Sequence, residues 1–543
     1  MRLTPILAAA LAGVATSAIA QTAPATPEFT AAAVRSHIEF LADDLLEGRD
    51  AGTRGFDIAA LYVATRFEAL GLKQAVSNSW YQPVTLTEAK LAEPTASVTI
   101  GGKAFPNMGD VIISPNAREP QQSLEAQAVF VGYGIDAPDA GFNDYAGLDV
   151  KGKYVVVLSG FPKGTPSEIG AHLASEKTAM AERHGALGLI QVYTRESLKR
   201  RPWPRMLEIS GGPSLTWVDT DGKPYVRAPG IRGTANLNTP AAEALFAGAP
   251  TSLNRVFDQA DRNGGKPKGF ALKQTVKIDR TSSVREVKSE NVIGIIPGSD
   301  PTLANEYVLL MAHLDHEGVD EKLEGDDKIF NGAMDNAAGT ATMLEVARAF
   351  AESGQRPKRS ILFAAVTAEE DGLLGSQYLA KHPVVGNGKV VGVVNLDMPI
   401  LLYDFQDVVA FGAEHSTLGP IVAKAAGSAG VKLSPDPLPS EGLFTRSDHY
   451  RFVQEGIPSV FLMTGFAGEG QQKFEHFLAN DYHKVSDQTD LPFNWEAGAK
   501  FARINYLIAR EIADEPQSPR WYDKDFFGDV FAPGQPRAPK PAE

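Results

Sequence analysis

Between Tyr307 and Pro399 every apolar run in the chain stops at a group able to hold a divalent cation. The run from Tyr307 to Ala312 ends in His313-Leu314-Asp315-His316. Asn331-Gly332-Ala333-Met334 leads to Asp335, and Asn336-Ala337-Ala338-Gly339 opens a segment whose apolar residues Met343, Leu344, Ala347 and Phe350 follow helical spacing. Residues 360–367 predict a second strand that runs into the adjacent acids Glu369 and Glu370, and residues 390–396 a third that ends at Asp397. Strands separated by helical segments form a mainly parallel sheet with both faces covered, and such sheets bind ligands at the carboxyl ends of their strands. The expected class is therefore α/β, a mainly parallel mixed sheet sandwiched by helices, with its chemistry at one rim.

Divalent cations held without sulfur take imidazole and carboxylate ligands, and the chain contains no cysteine. Two cations that share one water also need a carboxylate able to bridge them. His313 supplies the first imidazole, with Asp315 placed to hydrogen-bond its ring or to orient the neighbouring ligand. Asp335, at a helix start, is the expected bridge. Adjacent side chains on an extended segment point to opposite sides, so the acid pair divides two roles: Glu370 goes to the metal and Glu369 to general-base duty. Asp397 completes the first cation's shell. His483, in the polar stretch Asp481-Tyr482-His483-Lys484, is the expected last ligand.

A chain of 543 residues accommodates two or three domains, and 43% hydrophobic with 22% charged residues is an ordinary globular balance. Met1-Arg2-Leu3, the apolar run from Pro5 to Val14 and the small-x-small Ala18-Ile19-Ala20 predict a signal peptide over residues 1–20, cleaved after Ala20. A periplasmic or secreted protein follows. That run is too short to cross a bilayer comfortably, so no integral membrane segment is expected in the mature chain. Export usually brings disulfides; without cysteine, stability must come from the core. A net charge of -14 argues against nucleic acid or an anionic membrane as the main partner.

Residues 21–123 are expected to begin the main domain, with two helices between 27 and 72 and then short strands to about Ser114 that join the main sheet. Short β runs with one clear helix, Lys177 to His184, predict an inserted domain over 124–263. Phe270 to Ile278 is expected to be the first strand back in a catalytic domain spanning 264–513. Residues 514–543 hold six prolines, which predicts a tail that wraps the surface or stays mobile.

His313-x-Asp315, Gly332-Ala333-x-Asp335-Asn336-Ala337-Ala338-Gly339, Glu369-Glu370-x-Gly372-x-x-Gly375-Ser376, Asn395-x-Asp397-Met398 and Tyr482-His483 together resemble the ordered signature of the M28 family of dinuclear zinc aminopeptidases. Leu46-Glu47-Gly48-Arg49 is similar to secreted members. The resemblance implies a zinc-exopeptidase fold of the phosphorylase/hydrolase-like type, two Zn2+ ions held by His313, Asp335, Glu370, Asp397 and His483, and Glu369 as general base; Asp315, from its own place beside His313, joins Glu369 in the expected catalytic set. It also implies peptide substrates with a free N-terminus. Gly132-Tyr133-Gly134 and the stretch from Asn143 to Lys153 resemble the protease-associated (PA) domain inserted in some exported members. Ala338 stands where the family often has serine, which leaves ligation untouched.

Taken singly these residues have duller explanations: an N-cap for Asp335, a core histidine for His313, a solvated turn for the acid pair. Their ordered recurrence with the flanking glycines is what points to a metal site. His316 is expected to be a pocket-wall or surface residue. In Ser447-Asp448-His449-Tyr450, either His449 or Tyr450 is a candidate to steady an oxyanion, and a structural loop fits equally. Three other readings share the ligand set. A carboxypeptidase would need Arg446 or Arg451 for a terminal carboxylate; a glutaminyl cyclase is the second; a non-catalytic scaffold with a decayed site is the third, opposed by the intact ligands.

Overall fold

The computed structural model describes residues 27–92 and 96–541, so the expected signal peptide lies outside the described residues. Helices α1 (Ala31–Leu41) and α2 (Arg54–Ala69) come first, each capped by a threonine side chain that accepts from a first-turn amide, Thr30 from Ala33 and Thr53 from Phe56. Strands β1 (Tyr81–Leu91), β2 (Phe270–Ile296) and β3 (Glu306–His313) follow, then helix α3 (Ala338–Glu352), strands β4 (Ser360–Val366), β5 (Lys389–Leu396), β6 (Asp407–Phe411) and β7 (Ser459–Thr464), and helix α4 (Trp495–Asp514).

Along β3, Val308, Leu310 and Ala312 point into a core shared with α1 to α4, while Leu309 and Met311 point into a second layer with Leu379, Val385 and Phe452. Period-two alternation of residues that are apolar on both sides is what a doubly covered strand requires. The main sheet runs β1–β2–β4–β3–β5–β7–β6, parallel through β4, β3, β5 and β7 and antiparallel at both flanks. Its parallel centre fixes which rim carries the strand ends.

Of the strands expected to join the main sheet up to Ser114, Lys73–Gln74 and β1 do so, both against β2. Ser97–Ile100 pairs with the first half of β2, and Lys103–Pro106 with Ser97–Ile100. These belong to a second apolar core that reaches from Ala96 to Ile278. Phe270 is not the return point either: β2 lies in the second sheet through Thr281 and enters the main one at Ser282. One 27-residue strand serves both sheets, so its unbroken texture hides the crossing. The second lobe holds more than the helix Lys177–Arg183; Ser167–Ser175, Arg195–Arg200, Trp203–Ser210, Thr239–Leu245 and Leu253–Ala260 are helical too. Six to nine residues show too few turns for a periodic signal. The proline-rich tail is anchored by buried Trp521 and Phe527 and by a helix, Phe526–Phe531.

A seam ties second lobe, main lobe and tail together. His415 lies 3.0 Å from Glu168 of the second lobe and 2.7 Å from Asp525 of the tail. Burial opposes its charge, but the two carboxylates outweigh that and push it up to about 10. Nearby, burial pushes His172 down to about 4, which leaves the neutral ring to accept from the Tyr450 hydroxyl at 2.7 Å. Among the described residues no helix is long and apolar enough to cross a membrane.

Candidate metal centre

His313 closes β3, Glu369 and Glu370 follow β4, Asp397 follows β5, and Asp335 stands just before α3. His483 arrives from far along the chain, in the turn after helix Gly470–Asn480. Asp335 is the centre of the arrangement. Its Oδ1 is 3.2 Å from His313 Nε2, which is 3.3 Å from Asp397 Oδ1. Its Oδ2 is 3.3 Å from His483 Nε2, which is 3.2 Å from Glu370 Oε2. Donor atoms around a tetrahedral ion with bonds of roughly 2.0–2.1 Å stand about 3.3 Å apart. Each oxygen of one carboxylate therefore faces its own imidazole, and each imidazole a further carboxylate, at that spacing.

Both imidazoles are set as ligands by what their other nitrogen touches. His313 Nδ1 lies 3.2 Å from the Asp315 main-chain oxygen, and His483 Nδ1 lies 2.9 Å from Glu317 Oε1. A carbonyl and a carboxylate only accept, so each Nδ1 carries a proton and Nε2, which faces Asp335, is the nitrogen that a cation would take in exchange for its proton. Asp315 thus acts on the ring through its backbone, not through its carboxylate. That side chain accepts from the Glu370 amide at 3.2 Å and so positions the acid pair.

The charges are unbalanced. Burial pushes Asp315 up to about 8 against the pull of His313, and pushes Glu369 well above the carboxylate range, with Glu370, Asp448 and Asp397 adding to it. Asp335 is buried too, yet hydrogen bonds from His313 and His483 hold it well below that range. Burial disfavours a charged His313, but Glu369, Asp335 and Asp397 outweigh it and hold the ring well above its usual value. A buried set with more acids than bases is the electrostatic condition for holding cations.

Local geometry explains the motif's glycines. Gly332 has φ of 57°, and a Cβ there would meet the Asp335 oxygen at 2.1 Å; one on Gly339 would meet Asn336 Oδ1 at 2.1 Å. Asn336 joins α3 to the end of β5, donating to Leu396 O and accepting from Gly339 N, both at 2.9 Å. Buried Arg49 donates to the main-chain oxygens of Leu314 (3.0 Å), Asn331 (2.6 Å) and Gly332 (3.1 Å), holding the two ligand loops to the N-terminal helices. Burial lowers its pKa only to about 10, so it stays charged.

Sequence reasoning passed over Asp487. Its buried carboxylate accepts from Met334 N at 2.8 Å and Asp335 N at 3.0 Å, clamping the bridging residue; in sequence it was one acid of a polar stretch, with nothing to mark it. Asp487→Ala leaves two buried amides unpaired, at about 1–3 kcal/mol each. We expect divalent-metal affinity to fall about ten- to a hundredfold, read by competition against a chelating dye. An unchanged affinity would show that the Asp335 loop holds its shape unaided.

His316 is neither pocket wall nor surface. It is buried and lies 2.7 Å through Nδ1 from Glu370 Oε1, which leaves the other oxygen of Glu370 to the His483 triad. Both oxyanion candidates fail: His449 is buried behind Phe444 and Phe461 and pushed down to about 3 by burial, and Tyr450 bonds His172. Ser447 from that stretch does take part, donating to Asp397 Oδ2 at 2.6 Å and accepting from Asn395 at 2.7 Å. A cleft of about 80 Å³ opens here, lined by the six metal and base residues with Met398, Leu443, Arg446, Ser447, Phe461 and Tyr482. A larger groove by Val385, Gly388 and Pro519 holds none of these six.

Residues 291–509 match the sequence pattern of Peptidase family M28. The chain carries an M28 peptidase domain. All six residues around the cleft fall within the matched part. The chain is 27% identical over 283 residues to Aminopeptidase NAALADL1 of Mus musculus, covering 50% of this chain and 33% of that one. It is 31% identical over 405 residues to the Glutamate carboxypeptidase 2 homolog of Caenorhabditis elegans, covering 64% and 49%. It thus spans about a third to a half of the length of these curated relatives. Among solved structures, an aminopeptidase from Aneurinibacillus sp. strain AM-1 shares the fold, with a TM-score of 0.52 at 20% identity over 91% of this chain and 96% of that one.

Proposed function

We propose that this M28 chain is a zinc-dependent exopeptidase, exported to the periplasm or beyond, that removes N-terminal residues from peptides with two ions and Glu369 as base. The observation that carries the reading is Asp335, whose two oxygens each face a separate imidazole–carboxylate pair at 3.2 to 3.3 Å. His313, Asp335 and Asp397 would hold one ion; His483, Asp335 and Glu370 the other. Zinc in such a setting supplies Lewis acidity, lowering the pKa of a coordinated water toward 7 and polarising a carbonyl.

The chain's own groups supply the rest. Glu369 takes the proton of the attacking water and delivers it to the leaving amine. Tyr482 lines the cleft, and burial keeps its phenol protonated. It is the hydroxyl left for a developing oxyanion, because Ser447 is committed to Asp397 and Tyr450 to His172. The concentration of carboxylates favours the substrate's ammonium end at this rim. Relatives named as aminopeptidases and zinc metalloproteases support the assignment.

The second lobe we read as the PA domain. Its helix Ser167–Ser175 seats on the segment leading to Leu443, Arg446 and Ser447, with Ser167 Oγ donating to Pro439 O. Placed there, it limits access to short peptides. Purified protein is expected to hold two zinc ions per chain by elemental analysis. It should hydrolyse aminoacyl-anilides, lose that activity on dialysis against a chelator, and regain it with zinc. Activity that survives complete metal removal would refute the proposal.

A further inference from the structure

Among the described residues, Arg446 is the one guanidinium or ammonium group lining the cleft, whose other charged walls are four carboxylates and two imidazoles. Its side chain is 51% exposed, and its ion pair with Glu441 is long at 3.7 Å. Glu441 is itself shared, since Arg200 of the second lobe stands 3.6 Å from it. Arg451, the other arginine of this stretch, is spent on the Gly372 carbonyl at 3.0 Å. The cleft therefore has an acidic end at Asp335 and Glu369 and a single under-used cation within the same small volume.

We propose that Arg446 binds the C-terminal carboxylate of the substrate, so that the preferred substrates are dipeptides and other very short peptides with a free carboxyl terminus. This rests on the exopeptidase reading and specifies its substrate class. With the substrate's ammonium and scissile carbonyl at the acidic end, the next residue's carboxylate lies about one residue length, ~3.8 Å, further on. A guanidinium fork matches a carboxylate with two parallel hydrogen bonds. Glu441 competes for the same fork, which gives the idea a second handle of opposite sign.

The experiment compares a dipeptide, its C-terminal amide and the anilide of the same N-terminal residue, using the zinc-loaded full chain. For the native protein kcat/KM for the free dipeptide should exceed that for the amide by about tenfold or more, as one charge-assisted contact provides. In Arg446→Gln and Arg446→Ala that ratio should fall to near one. In Glu441→Gln it should rise about two- to threefold, because the fork is released. A native ratio near one, or an unchanged ratio in the Arg446 variants, overturns the proposal while anilide cleavage leaves the peptidase reading standing. A native chain that cleaves none of the three overturns both.

Discussion

Replacing Glu369 by glutamine is expected to lower kcat by about 10²- to 10⁴-fold, with KM and bound metal close to native. The substitution keeps size and hydrogen-bonding reach and removes only the ability to accept a proton. Glu369 lines the cleft, and neither of the two triads that share Asp335 includes it. Burial first, then Glu370, Asp448 and Asp397, raise its proton affinity well above that of an ordinary carboxylate. Bound cations work in the opposite direction and bring such a group back toward neutral pH, the range in which a general base is most effective. Glu369→Asp withdraws the carboxylate by about 1.5 Å and should fall between native and glutamine. Steady-state rates alongside metal analysis on the same samples test this ranking. A glutamine variant with near-native turnover would move the proton acceptor elsewhere.

How much of this was legible in the sequence depends on what each residue bonds. The ligand set could be read because chelation demands particular side chains, and these stand at the ends of apolar runs whose alternation marks them as strands. Groups that act through the backbone were not legible. Asp487 meets the amides of Met334 and Asp335 across 152 to 153 residues of chain, and any acid in that polar stretch looks the same in sequence. Asp315 was read for its carboxylate, yet its carbonyl sets the His313 tautomer. His316 carried no pattern that separated a buried partner of Glu370 from a surface ring. The lobe boundary failed for another reason: β2 has the same two-residue periodicity in both sheets, so the point where one core gives way to the other leaves no mark.

Asp335→Ala is expected to remove both ions, leaving bound metal close to zero under conditions that saturate the native chain. His483→Ala should retain about one, because the triad of His313, Asp335 and Asp397 keeps its three protein ligands. Asp335→Asn is the sharper comparison. Its amide oxygen can serve one triad, but its NH2 group faces the other and offers no lone pair to a cation, so this variant should also hold about one ion. Folding ought to survive each change, since the surrounding shell is apolar and the loop is clamped from outside by Arg49 and Asp487; thermal unfolding under excess chelator, where native and variants are compared without metal, separates lost binding from lost structure. The graded result of none, one and one distinguishes a shared carboxylate from two neighbouring sites that merely lie close. If Asp335→Ala kept two ions, the triads would not depend on one another, and the case for paired cations acting on a single water would fall.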